Sequence, residues 1–174
     1  MTAAELWQQS PDTPGELVEG RFIAMSPTGH PHGAIEANIA RDLGAFVKQR
    51  GLGRVMSGEV GIITQRDPDT VRGADIVYIS KERLSQAQAD GYLDVAPELV
   101  IEIISPNDRW TEINEKIGEY LACGVLLVWI IDPRTQRVTR YGRGRDLLVY
   151  GSDDVLTAPD ILPGFAVPIR ELLG

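Results

Sequence analysis

The chain has 174 residues, enough for one globular domain with a substantial core, and 43% of them are apolar. Its formal net charge of −8 counts against general affinity for nucleic acid, because phosphate repels an acidic protein at long range. The N-terminus lacks the pattern of a signal peptide, no apolar run approaches the length of a membrane span, and the single cysteine excludes an intrachain disulfide. We therefore expect a cytoplasmic protein that makes no contact with a membrane.

The predicted elements of the first half begin after a poorly specified N-terminal arm, residues 1–14. Pro31 suits the first turn of a long helix, because the missing N–H of proline costs nothing there. Gly58 separates two short strands as a bulge or a turn. We expect a hairpin, the long helix and three strands over residues 16–25, 31–48, 54–57, 60–64 and 74–79, respectively.

The second half combines continuous apolar runs, typical of strands buried on both faces, with one amphipathic helix. This helix spans about residues 111–123, ends before Gly124, and has a predicted core face of Trp110, Ile113, Ile117 and Leu121. The other predicted elements are strands at 99–104, 125–131 and 137–141 and a final helix at 169–173. The order predicts one domain, with residues 15–174 forming an α/β fold close to α+β. A central mixed sheet would be flanked by helices and preceded by an N-terminal β-hairpin.

A single carboxylate, Glu102, lies inside the apolar run 99–104. A charge in a buried strand is costly unless it is paired, hydrogen-bonded or bound to a cation. Asp75 is the lone acid of another predicted core strand, and the backbone oxygen of Ile103 could add a ligand. If the strands are neighbours, these hard oxygen ligands suit Mg²⁺ or Mn²⁺. In the structural alternatives, Asp75 caps the start of its strand and Glu102 bonds an arginine.

Lys116 lies on the helix after Glu102 and could turn its ammonium towards a metal site, where it would orient a water or contact phosphate. Alternatively, Lys116 pairs with Glu112 one turn away on a solvated face. Glu36 and His32 lie one turn apart on the first long helix. Glu36 could supply a third carboxylate, and His32 could hold Glu36, bind a metal or contact substrate. The alternative for both residues is a polar helix flank.

A run without acids, from residue 133 to residue 145, is rich in arginine. It could be a solvated hairpin edge, which charges protect from aggregation, or a strip that contacts phosphate and so binds nucleic acid. Its five arginines are Arg134, Arg137, Arg140, Arg143 and Arg145.

Several segments together resemble the Uma-type family of putative restriction endonucleases, in the PD-(D/E)XK nuclease-like superfamily. They are GELVEG with MSP at 15–27, His32 at a helix start, ADIV at 74–77, PELVIEIISP at 97–106, Lys116 with Tyr120, and GV followed by WIIDP at 124–133. The likeness covers about residues 16–172. The strand end Glu-x-x-Ser-Pro followed by a lysine-bearing helix is fairly specific in combination.

This resemblance implies a restriction-endonuclease-like core and metal-dependent hydrolysis of DNA. Asp75 and Glu102 match the two acids of the superfamily motif and would hold Mg²⁺ or Mn²⁺. Ile104 stands where the superfamily usually has its lysine, and Lys116 matches the helix position that this family often uses instead. Glu36 could be an extra helix carboxylate. We also expect a homodimer, because cutting two strands calls for two sites.

Two other functions remain open at this point. The chain could be a catalytically silent nuclease fold that serves as a binding or regulatory module, which predicts no binding of divalent ions. It could also hydrolyse a small nucleotide or another phosphoester, which would agree with its acidic charge.

Overall fold

The computed structural model describes residues 1–9, 14–144 and 147–174, so Arg145 lies outside the described residues. Its helices are α1 (Ala3–Gln9), α2 (His30–Arg50), α3 (Lys81–Leu84), α4 (Trp110–Cys123) and α5 (Ile169–Leu173). Its strands are β1 (Gly15–Val18), β2 (Arg21–Ala24), β3 (Gly53–Gln65), β4 (Thr70–Ser80), β5 (Leu99–Ile103), β6 (Leu127–Asp132), β7 (Arg137–Gly142), β8 (Leu147–Tyr150), β9 (Val155–Ala158) and β10 (Leu162–Pro168). No helix in these ranges is long and apolar enough to cross a membrane.

Eight strands form one mixed sheet in the order β2-β1-β4-β5-β6-β7-β8, with β3 paired to the other edge of β4. Strands β5 and β6 are parallel, and the remaining neighbours are antiparallel. Strands β9 and β10 pair with each other in a separate hairpin. The predicted mixed sheet flanked by helices, with an N-terminal hairpin, is confirmed.

The two faces of the sheet are covered by different helices. Helix α2 buries its apolar residues on one face, at the helical spacing expected from the sequence, together with α5 and the β9–β10 hairpin. Helix α4 covers the other face through Ile113, Ile117 and Tyr120. The prediction that Trp110 belongs to the core face of α4 was wrong. It is 49% exposed, because the first turn of α4 meets the loops that hold Pro106 and Pro133 rather than the sheet.

Strand β3 is continuous, where two strands were expected. A bulge at Gly58 and Glu59, both with positive φ, shifts the register between Ser57 and Val60 without ending the pairing with β4. Strand β4 starts earlier than predicted, at Thr70, so that Asp75 lies in its middle.

The N-terminal arm is better specified than the sequence analysis expected, because residues 3–9 form helix α1. A capping box starts this helix: the Thr2 Oγ1 accepts from the Glu5 N–H at 3.2 Å, and the Glu5 Oε2 accepts from the Thr2 N–H at 2.7 Å. The Ala3 N–H donates to the Asp69 Oδ2 at 2.8 Å, and Leu6 is buried. The helix is therefore fixed to the start of β4.

Strand β4 has two different partners along one of its edges. It pairs with β5 from Ile76 to Tyr78, and with β1 at Val71. Between these pairings, residues 72–75 face a gap in the sheet. Asp75, Glu102 and Lys116 lie at this gap.

Candidate metal and catalytic site

Asp75 and Glu102 lie at the end of the gap where β4 separates from β5. The antiparallel pairing ends at Ile76 opposite Ile101, and the next pair in this register is Asp75 opposite Glu102. Instead of a further ladder bond, the Ile103 N–H donates to the Asp75 Oδ2 at 2.7 Å. The Asp75 carboxylate thus takes the place of a backbone acceptor, which fixes it beside Glu102.

Glu102 is largely buried, with 14% of its side chain exposed. Its Oε1 accepts from the Tyr120 hydroxyl at 2.7 Å and lies 3.8 Å from the Lys116 Nζ, so its partners in the described chain are a tyrosine and a lysine. Burial raises the pKa of Glu102 to about 8, and the opposing effect of Lys116 does not cancel this rise. A carboxylate that is so costly to ionise gains from a bound cation.

Lys116 bridges the two sides of the gap. Its Nζ lies 2.7 Å from the Glu16 Oε1, 3.8 Å from the Glu102 Oε1 and 3.3 Å from the Gly73 carbonyl oxygen. It therefore points into the gap instead of pairing with Glu112. Burial alone would lower the pKa of Lys116, but the carboxylates of Glu102 and Glu16 outweigh burial and raise it. Lys116 is consequently a cation.

Glu16, on β1, closes the gap opposite Glu102 and was not identified from the sequence. Its Oε1 accepts from the Gly73 N–H at 3.0 Å, and its Oε2 accepts from the Arg72 Nη1 at 2.9 Å. Arg72 also binds Glu119 of α4 through two hydrogen bonds, of 2.7 and 2.6 Å. An acid that alternates with apolar residues in a hairpin strand is typical of a solvated face, so the sequence carries no signal for this role.

A second group of potential ligands reaches Asp75 from α2. The His32 Nε2 lies 3.2 Å from the Asp75 Oδ2, and the His32 Nδ1 lies 4.0 Å from the Glu36 Oε2. One ligand atom from each of these three residues lies within 4.8 Å of the others. The hydrogen bond with Asp75 raises the pKa of His32, and burial raises the pKa of Glu36. The cluster could hold a divalent cation that shares Asp75 with the gap.

Glu59 is a further acid at the site that sequence reasoning missed. It lies in the bulge of β3, and its Oε2 is 2.6 Å from the position that a Cβ on Gly73 would occupy. Although Glu59 is exposed as a residue, partial burial of its carboxyl group raises its pKa, and Asp75 adds to the rise. Its φ of 58° is unusual for glutamate, and no sequence pattern singles it out.

The donors at the gap fit a divalent metal ion. Asp75 and Glu102 offer carboxylate oxygens from adjacent positions. The Ile103 carbonyl points to the same strand edge as the Ile103 N–H that binds Asp75, and therefore faces the gap. Oxygen donors suit Mg²⁺ and Mn²⁺, and the His32 imidazole nitrogen suits Mn²⁺ or other transition metals.

A pocket of about 470 Å³ opens over the gap. The Lys116 ammonium and the Glu16 and Glu102 carboxylates form its polar wall, and Ile104 contributes an apolar wall. Three further acids line the pocket: Asp108, Glu112 and Glu115.

The arginines that follow β6 do not form a single surface. Arg137 and Arg140 are three residues apart on β7, so they point to opposite faces of the sheet. The Arg140 Nη2 lies 3.0 Å from the Asp160 Oδ2, and most of the Arg140 side chain is buried. Arg134 is exposed in the turn after β6, in a pocket with His32. Of Arg134, Arg137 and Arg140, Arg140 is thus engaged by another side chain.

Comparison with known proteins identifies the family. No curated protein matches this chain. The structure of a protein from Anabaena variabilis ATCC 29413, described as a putative nuclease belonging to DUF820, aligns with a TM-score of 0.83 over 99% of this chain and 97% of that chain, at 24% identity. This likeness shows a shared fold. The model of the Uma2 family, described as "Putative restriction endonuclease", matches residues 3–170. The chain therefore belongs to the Uma2 family.

Proposed function

We propose that this protein is a metal-dependent endonuclease that hydrolyses DNA phosphodiester bonds. The observation that carries the proposal is that Asp75 and Glu102 lie at opposed positions where β4 leaves β5, with the Lys116 Nζ 3.8 Å from the Glu102 Oε1. Membership of the Uma2 family supports the same reaction class. The fold alone would not be sufficient, because one fold can carry unrelated functions.

In this proposal Asp75, Glu102 and the Ile103 carbonyl hold Mg²⁺ or Mn²⁺. When bound, such an ion would supply Lewis acidity, which would make a water more acidic and stabilise negative charge on phosphate. Lys116 orients the attacking water or stabilises the phosphate, and its raised pKa makes it a poor general base in the metal-free protein. His32, and Glu36 through His32, orient Asp75.

DNA is the proposed partner in spite of the acidic net charge. His32 and Arg134 line a pocket next to the site, and Arg137 is exposed at the start of β7. Arg134 and Arg137 are the proposed contacts to phosphates that flank the scissile bond, whereas His32, which was also expected to contact substrate, is buried and engaged by Asp75. We propose a homodimer in the cytoplasm, since two sites would cut both strands, and sedimentation velocity would test the assembly.

Plasmid nicking tests the reaction. The wild type and Glu102→Gln would be assayed with Mg²⁺, with Mn²⁺ and with EDTA, and Glu82→Gln, which changes an exposed acid on α3, would be the matched control. We expect nicking by the wild type and the control. Glu102→Gln should lose on the order of 100-fold or more, because a metal ligand is removed. Absent activity in the wild type, or equal activity in all three proteins, would favour the silent binding module.

A second candidate, hydrolysis of a small phosphoester, is favoured by the acidic lining of the pocket. Asp108, Glu112 and Glu115 add negative charge close to the place where duplex DNA would approach. The same proteins would be assayed with a nitrophenyl phosphodiester and with dinucleotides. Hydrolysis of these compounds that requires Glu102, without nicking of plasmid, would replace the DNA substrate with a small one.

A further inference from the structure

A second pocket, of about 380 Å³, lies next to the proposed site. It shares Ile104 and Asp108 with the pocket over the gap, so the two pockets adjoin each other. The proposed hydrolysis uses no part of its apolar wall. This wall is formed mainly by Trp110 together with Pro31, Pro106 and Pro133.

Trp110 differs from the other tryptophans in its surroundings. Trp129 is fully buried in the core. Trp7 is 51% exposed, but its ring packs edge-on against Tyr92, with the centroids 5.4 Å apart. Trp110 is 49% exposed and has no aromatic partner in the described part of the chain. The half-exposed indole of Trp110 offers a flat apolar face in the wall of the pocket, on which another ring could stack.

The polar groups of this pocket leave one cation available. The two acids in its wall are engaged in ordering loops: the Asp108 Oδ2 accepts from the Ser105 N–H at 2.7 Å, and the Asp132 Oδ1 accepts from the Arg134 N–H at 3.0 Å. The Arg134 side chain is exposed and makes no ion pair with any described residue. The pocket thus combines an aromatic platform with a free guanidinium, which suits a base and its phosphate.

We propose that Trp110 stacks on an unpaired base of the DNA strand adjacent to the scissile phosphate, with Arg134 contacting the phosphate of that nucleotide. The inference rests on the proposed function for the choice of nucleic acid as ligand. Bases in a duplex are stacked on their neighbours, so a base that enters the pocket must come from single-stranded or locally unpaired DNA. The protein should therefore prefer single strands, flaps or unpaired junctions to continuous duplex.

The test measures binding without hydrolysis. Fluorescence anisotropy in EDTA would report the affinities of a labelled single-stranded oligonucleotide and of its duplex. The proteins would be the wild type, Trp110→Ala, Trp110→Phe and, as the matched control, Trp7→Ala. Far-ultraviolet circular dichroism and thermal melts would establish that each variant is folded.

Trp110→Ala should weaken single-strand binding by about 5- to 150-fold, the range expected from the loss of one stacked base. Trp110→Phe should retain most of the affinity, and Trp7→Ala should bind as the wild type. Equal affinity in the wild type and Trp110→Ala, or equal loss for single strand and duplex, would overturn the proposal. The binding assay contains no metal, so its result does not depend on hydrolysis. If the wild type and its variants show these affinities but the wild type does not nick DNA, the proposed hydrolysis is refuted and the stacking proposal stands.

Discussion

Lys116 links Glu16 and Glu102 across the gap. Its Nζ is 2.7 Å from Glu16 and 3.8 Å from Glu102, on strands that are not themselves paired. A lysine two residues after Glu102 would project from the strand itself. Here the cation comes from α4 instead, and Ile104 takes the strand position. The position of the positive charge in the site thus depends on the packing of a helix.

Replacement of Lys116 should separate metal binding from cleavage. We expect Lys116→Ala to bind Mn²⁺ in isothermal titration calorimetry, because Asp75 and Glu102 remain, and to lose most of its nicking activity. Its free energy of unfolding should fall by about 1.5–3 kcal/mol, since Glu16 loses a charged hydrogen-bond partner while keeping Arg72.

Lys81→Ala, at an exposed residue of α3, is the matched control and should behave as the wild type in all three measurements. Loss of Mn²⁺ binding in Lys116→Ala would show that the lysine shapes the ligand geometry rather than the chemistry.

The sequence identified those site residues whose charge is unexpected in their local pattern, and missed those that look ordinary. Glu102 interrupts an apolar strand, and Asp75 stands alone in another, so both attract attention. Glu16 and Glu59 contradict nothing: an acid in a hairpin strand and an acid beside a glycine are ordinary on a protein surface. Their roles arise from contacts with Gly73, which is 57 residues from Glu16 in the chain.

At the scale of elements, the β3 bulge lies close against β4 at Gly73. The Glu59 Oε2 fills the space beside the Cα of Gly73, 2.6 Å from an added Cβ. A methyl group at position 73 therefore requires the flexible Glu59 side chain to move away.

We therefore expect Gly73→Ala to lower the free energy of unfolding by about 1–3 kcal/mol, because the new methyl group forces the Glu59 carboxylate away. Chemical denaturation would measure this change. In Gly73→Ala/Glu59→Ala the clash is absent, so the double variant should recover much of the loss. A purely additive result in this double-mutant cycle would contradict the contact.

Helices and strands could be predicted where the sequence carries a clear, unambiguous signal for them. Helices α2 and α4 have clear periodicity and end at glycines with positive φ, Gly51 and Gly124. Helix α1 was missed although the Thr2–Glu5 capping box is visible in the sequence, because seven residues give too short a period to recognise. The continuity of β3 was missed because Gly58 reads equally well as the end of a strand or as a bulge.

At the scale of the whole molecule, the buried acids make stability depend on pH. The pKa of Glu102 rises from about 4.5 to about 8 through burial, so the folded protein holds this proton more tightly than the unfolded chain does. The corresponding stabilisation is complete below pH 4.5 and is lost as the pH rises to about 8. His32 acts in the same direction above its usual pKa, because its bond to Asp75 raises that value.

Thermal melts in EDTA should therefore show a free energy of unfolding that declines between pH 5 and pH 8, by an amount on the order of a few kcal/mol. Glu102→Gln should flatten this decline, whereas Glu82→Gln should not. Added Mn²⁺ should raise the melting temperature more at pH 8 than at pH 6, since protons compete for the same carboxylate. A wild type whose stability increases over this interval would contradict the proposed environment of Glu102.

The general architecture could be predicted, and the gap could not. Alternating runs and the family resemblance indicate a mixed sheet flanked by helices. The pairing of β4 with both β1 and β5 along one edge depends on contacts between distant segments, such as Leu17 with Val71. Local patterns carry no information about such a division of one edge between two partners.

Because one edge of β4 pairs with both β1 and β5, β4 fixes the distance between these two strands, and so the width of the site. The β1 pairing at Val71 and the β5 pairing at Ile76 are five residues apart, which corresponds to about 17 Å at ~3.4 Å per residue. The width of the site is thus counted in whole residues. Unless it formed a bulge, as Gly58 and Glu59 do in β3, one inserted residue between these pairings would turn every following side chain to the opposite face. Two inserted residues would restore the faces but widen the site by about 7 Å. Changes in the length of this segment therefore alter the geometry of the site itself.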